Sequence, residues 1–283
     1  MLTGTPKIRG YIATRQNRIV LLYRQTNKVT YLVLLEYNRK NINLRIGSRF
    51  YGRIYPNRCD LSLDGKYFIY FAMGRRPHRQ DGQILSCWTA ICMPPTLTAQ
   101  AIFFHGDTWG GGGQFLDDKT IIVLPGNSDL DIQVGYRFDK YEVKIGSLPN
   151  EGWASNRDWR LCETQVGRYG DRYPIPNWVK TNGKTCLLQN LKSCVVDGSR
   201  VKHGVGEYNF YEYEVRDERY GIAHRLNAEC TWAEFDNLGR IVVATGSRIE
   251  FYPDARRIVE NAPMEKFDIA NLLGSEMKNH RSQ

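Results

Sequence analysis

The residues best equipped for chemistry stand beside a run of glycines, in His105-Gly106-Asp107-Thr108-Trp109-Gly110-Gly111-Gly112-Gly113-Gln114. Four successive glycines remove every side chain, so a ligand or a neighbouring backbone can approach closely. His105 offers a base or acceptor, Asp107 a carboxylate and Trp109 a stacking face. Together with Gly111 and Gly112 they form a candidate ligand site. The same composition serves a crowded packing position, with small residues where the chain is tight and Trp109 wedged between layers, and both readings stay open. It is not a phosphate loop, because no Gly-Lys-Ser/Thr follows.

The second candidate is electrostatic. Residues 1–80 hold sixteen Lys and Arg against three acids (Glu36, Asp60, Asp64), whereas the whole chain nets only +9. Such asymmetry makes a one-sided field that attracts a polyanion or an acidic partner. Ile42, Leu44 and Ile46 alternate with Asn41, Asn43 and Arg45, as in a strand with one buried face. Beyond them Arg49, Arg53 and Arg58 interleave with Phe50, Tyr51 and Tyr55, and Arg75, Arg76, His78 and Arg79 are expected in a loop. Arg45, Arg49, Tyr51, Arg53, Arg75 and Arg76 are the expected partner-binding set. Arginines among aromatics suit a protein interface. They also suit stacking and phosphate contact on single-stranded nucleic acid, or simply a solvated basic face.

Other chemistries find little. The histidines (His78, His105, His203, His224, His280) lie far apart and in no recognisable nucleophile motif. The seven cysteines (Cys59, Cys87, Cys92, Cys162, Cys186, Cys194, Cys230) form no C-x-x-C pair and read as reduced thiols. No metal and no cofactor is expected, and no catalytic residue is assigned.

These side chains need elements to position them, and the chain repeats one device. An alternating stretch, a turn rich in Asp, Asn and Gly, and an apolar run recur in residues 60–71, 113–123, 178–188 and 232–244, with a weaker copy at 11–22. Asp-Gly and Asn-Gly supply the positive φ angles of a tight hairpin. The turns centre near residues 16, 64, 117, 182 and 238. Their spacing slightly exceeds the ~40–45 residues of a four-stranded propeller blade.

Ser62-Leu63-Asp64-Gly65-Lys66 resembles the turn that joins the two inner strands of a blade in TolB-type and WD40-like β-propellers, and Asn182-Gly183-Lys184 is similar. No Trp-Asp or Gly-His pair recurs as in WD40 repeats. The resemblance implies an all-β fold, a single propeller of about five four-stranded blades over residues 1–277, and no particular activity. Five-bladed propellers include glycosidases with carboxylates around the channel, and Asp107, Asp129, Asp131 and Glu163 are the candidates for such a set. Two β-sandwiches are the structural alternative.

Helix is expected only near the C-terminus, over residues 254–266 and 267–277, with Asp268 as a cap and a polar tail at 278–283. Residues 246–253 could complete a blade with the strand near 7–13. No signal peptide or membrane-spanning stretch is read, so a soluble cytoplasmic protein is expected. The functional expectation is a non-catalytic binding or scaffolding module that recruits a protein partner. A hydrolytic, glycosidase-like enzyme and a nucleic-acid binder are the alternatives.

Overall fold

The structure, a computed structural model, describes residues 5–80, 83–106, 108, 110–125, 140–146, 158–165, 175–191, 195–197, 200–202 and 211–279. It is mostly β, in several sheets whose strands are antiparallel at nearly every junction. The chain divides into two compact units: Met1–Pro6 with Gly10–Trp153, and Lys7–Arg9 with Ala154–Gln283.

The large sheet uses β1 (Lys7–Ile12), β2 (Arg18–Thr26), β3 (Val29–Tyr37), β4 (Ile42–Ile54), β5 (Asp60–Leu61), β6 (Phe68–Gln80), β7 (Gln83–Cys92) and β8 (Ala99–His105). Its order is β1-β2-β3-β4-β6-β7-β8, with β5 beside β6, so consecutive strands meander. The run Ile19–Leu22 and its partners Leu32–Leu35 are buried on both faces, which is why they read as continuous apolar sequence rather than alternation. On one face Val20, Leu22, Leu32 and Leu34 pack with Ile54, Leu61, Phe68 and Tyr70. The smaller sheet of this unit has β9 (Gly113–Phe115) antiparallel to β10 (Thr120–Val123), which pairs parallel with β11 (Glu142–Ile145). Ile69, Ile91 and Phe103 cover it, packed on Phe115 and Ile121.

In the second unit, β12 (Arg160–Gln165), β13 (Ile175–Asn182) and β14 (Thr185–Leu191) precede a ribbon of β15 (Val195–Asp197) and β16 (Arg200–Lys202). β17 (Tyr211–Asp217) and β18 (Ile222–Arg225) then complete a sheet of order β12-β13-β14-β17-β18. A last meander joins β19 (Cys230–Phe235), β20 (Ile241–Thr245), β21 (Arg248–Tyr252) and β22 (Glu265–Asp268). Buried Glu234 of β19 accepts from the Trp159 indole at 2.7 Å and pairs with Lys180 at 3.2 Å, so its charge is compensated inside the fold.

Each of the five expected turns does separate two strands: β1 from β2, β5 from β6, β9 from β10, β13 from β14 and β19 from β20. Three are built alike by a carboxylate that accepts from amides just ahead. Asp64 accepts from the Lys66 amide at 3.0 Å, Asp117 from Lys119 at 2.7 Å and Asp236 from Leu238 at 2.9 Å. Gly65, Gly183 and Gly239 take φ of 68°, 61° and 80°, the left-handed conformation that glycine adopts without steric cost.

Three expectations need correction. Arg75 and Arg76 are not in a loop but in β6, in a stretch where the ladder to β7 steps from Met73↔Cys87 to His78↔Leu85. The expected helix over 254–266 is only α1 (Ala255–Val259), because Pro263 halts it and Glu265–Asp268 pairs with β21 as a strand. Asp268 caps α2 (Ile269–Asn279) as expected, accepting from the Ala270 amide at 3.0 Å. Finally, β21 is completed by β22 rather than by the N-terminal strand. Ile8 instead reaches β19, where its carbonyl accepts from the Thr231 hydroxyl at 2.7 Å. No helix among the described residues is long and apolar enough to cross a membrane.

Candidate binding site on an arginine and tyrosine ladder

One extra residue decides which arginines share a face. Leu34 opposes Arg45 and Val33 opposes Ile46, but Tyr31 opposes Arg49, so Gly47 and Ser48 together face the single residue Leu32. This is a β-bulge, and it reverses the sidedness of everything after it. The bulge is held from outside. The Ser48 amide donates to the Pro95 carbonyl at 2.9 Å, and the Leu97 amide donates to Ser48 Oγ at 3.0 Å. A Cβ on residue 47 would fall 1.8 Å from the Pro95 oxygen, so glycine is required there.

The strand therefore splits the expected basic set. Arg45 lies on the face of Glu36 and donates to it at 2.9 Å, while Arg18 holds the other Glu36 oxygen at 2.6 Å. Arg49, Tyr51 and Arg53 are exposed and follow one another on the opposite face. Arg75 and Arg76 follow Gly74, the last β6 residue paired with β4.

Past the bulge the guanidiniums stack on rings. Arg49 lies 4.6 Å over Tyr51, and Arg53 lies 4.6 Å over Tyr55. Arg58 sits 5.6 Å from the Tyr55 ring and 5.2 Å from that of Phe71. Tyr55 and Phe71 are 5.0 Å apart, and His105 meets Phe71 edge-on at 5.6 Å. The result is a stacked pair exposed on β4, followed from Arg53 onward by a ladder that ends buried at the glycine run. Stacking fixes a guanidinium while leaving N–H groups at its edge for an anion.

The glycine run closes on this ladder. Arg58 Nη1 donates to the carbonyls of Thr108 at 2.7 Å and Gly110 at 2.6 Å. A Cβ on Gly111 would lie 2.3 Å from the Phe71 ring, and one on Gly112 would lie 2.5 Å from the Arg58 oxygen. The Gly112 amide donates to Thr89 Oγ1 at 2.6 Å, and that hydroxyl lies 2.9 Å from Nε2 of buried His105. The space that the missing side chains free is thus occupied by Phe71 and Arg58. Asp107 and Trp109 lie outside the described residues, as do Asp129 and Asp131; Glu163 is described only as part of β12.

Two participants escaped the sequence reading. Glu36 neutralises Arg45, and its signal was being the first acid in a basic stretch. Arg58 was read among the arginines interleaved with aromatics but left out of the binding set, and it is the clamp between two elements. Elsewhere, a concavity of about 450 Å³ on the β12–β18 sheet is lined by Asn177, Leu188, Glu214, Arg216 and Arg225, but Arg216 already meets Glu214 at 2.5 Å. Among the described residues no three His, Cys, Asp or Glu side chains group to hold a metal ion. The chain matches no family model, and comparison with curated proteins finds no match.

Proposed function

We propose that this chain is a non-catalytic binding and scaffolding module of propeller architecture, with about five blades, that recruits a protein partner through Arg49, Tyr51 and Arg53. One observation carries it: three exposed side chains share a face of β4, and among the described residues neither arginine meets a carboxylate. Two stacked, uncompensated guanidiniums beside an exposed tyrosine have the composition of an interface centre. The glycine run acts in this reading as the buried anchor of the ladder.

The propeller reading draws support from the turns. Within the first unit the Arg15 amide donates to the Leu63 carbonyl at 2.9 Å, Arg15 pairs with Asp118, and the Phe115 amide donates to Asp60 at 2.8 Å, so three successive turn regions meet. Within the second, Asn182 donates to the Gly239 carbonyl at 3.3 Å, and Ile8 bonds Thr231. Turns that neighbour one another within a unit are what successive blades require. Cys87, Cys92 and Cys230 are buried as thiols, which suits a reducing cytoplasm.

A protein partner fits better than single-stranded nucleic acid. Successive bases need open aromatic faces. Tyr55 is buried, Phe50 packs on Trp88, and exposed Tyr51 already carries Arg49.

The test is a quantitative pull-down with the wild-type chain, an Arg49→Glu/Arg53→Glu variant and an Arg45→Glu control. Partners should survive nuclease and the control change, and fall about tenfold with the double reversal, equivalent to roughly 1.4 kcal/mol. Identical partner lists for all three chains would refute the reading.

A further inference from the structure

The ladder also constrains the shape of what it binds. We infer that the partner presents an extended acidic segment lying along β4, with two carboxylates four residues apart and a small apolar residue midway. This rests on the recruitment reading above and deepens it.

Arg49, Tyr51 and Arg53 follow at every second residue beyond the bulge, and the ladder to β3 is regular over Val29↔Tyr51, Thr30↔Phe50 and Tyr31↔Arg49. A strand rises about 3.3 Å per residue, so the two arginine positions are separated by about 13 Å. An extended peptide has nearly the same rise, and its alternate side chains point one way. Carboxylates at positions i and i+4 therefore meet Arg49 and Arg53 together, with residue i+2 between the two guanidiniums. A helix cannot do this with neighbouring turns, since its i and i+4 side chains stand only about 6 Å apart.

The chemistry suits carboxylates. Each guanidinium has one flat side on a ring, at 4.6 Å in both cases, so it is already oriented when the anion arrives. Its planar fork donates two parallel hydrogen bonds to a carboxylate. Holding the side chain in advance lowers the ordering cost of binding. Arg45 cannot extend the comb, because the bulge turns it to the other face and Glu36 holds it there.

The experiment is fluorescence anisotropy with dye-labelled peptides of one composition in a Gly-Ser-Thr background. Two Glu flank a central Val at spacings i,i+2, i,i+4 and i,i+6, and an oligo-dT of equal charge is run beside them. The i,i+4 peptide should bind at least about fivefold tighter than its isomers. Arg49→Glu or Arg53→Glu should erase that preference, and Arg45→Glu should keep it. Equal binding of all three isomers, lost on arginine reversal, overturns the spacing and leaves recruitment standing. Absence of peptide binding while the pull-down difference persists does the same. Tighter binding of oligo-dT than of any peptide overturns both.

Discussion

Arg58 reaches Gly110 through a 2.6 Å hydrogen bond from Nη1 to the carbonyl oxygen, and so fastens the buried end of the arginine ladder to the glycine run. The same nitrogen also serves Thr108, and the guanidinium plane covers Phe71. One side chain thus links the segment after β4 to the segment after β8.

Arg58→Ala should therefore destabilise the fold by about 2–3 kcal/mol, since two charge-assisted bonds to partly buried carbonyls are lost with the stacking. Arg58→Lys should recover less than half of that, because an ammonium has no plane to lay on the ring. Urea unfolding of the three chains measures both differences.

The glycines separate into two kinds. Gly111→Ala should cost roughly 2 kcal/mol or more, because its φ is +85° and its Cβ would strike the Phe71 ring. Gly274→Ala, inside α2 with nothing within 4 Å, should stabilise by about 0.5–1 kcal/mol. Thermal melts of the pair should shift in opposite directions.

Acid should weaken the second unit through Asp217. Arg219 holds this carboxyl down to about 2, with the Thr185 hydroxyl helping and burial opposing. A depressed folded-state value contributes stability above the usual carboxylate range, near 3.8, and that contribution is lost as pH falls from about 4 to 2. Asp217→Asn should be less stable than wild type at neutral pH and less sensitive across the acid window. Circular dichroism against pH reads both.

Exposed Arg49 and Arg53 should matter for binding and hardly for folding. Changing both to Glu should move stability by no more than about 0.5 kcal/mol while releasing the partner. Salt near 1 M, where screening acts within about 3 Å, should weaken the same capture in the wild-type chain.

The hairpins were legible because their signal is local: Asp64-Gly65 and Asn182-Gly183 need only their own backbone angles to make a turn. The charged face was half legible. Strict alternation puts Arg45, Arg49 and Arg53 together, and nothing in Gly47-Ser48 alone announces a bulge, since its cause is the Pro95 carbonyl nearly fifty residues away. The C-terminal strand was hidden for a similar reason. Glu265–Asp268 carries little strand propensity and forms because β21 offers it an edge. The interleaving of Arg58 with aromatics was legible, but its carbonyl partners at Thr108 and Gly110 were not, because they lie some fifty residues away.

The doubled step at Gly47 and Ser48 has a consequence for inheritance. Deleting one of these residues would leave composition and net charge almost untouched, yet along the β3-paired stretch it would carry Tyr51 and its neighbouring arginine to the side where Glu36 waits. Chain length at this point therefore encodes which wall of the sheet presents these side chains. A lineage could move them to the other wall by losing a single codon, with each of these side chains still present in the sequence.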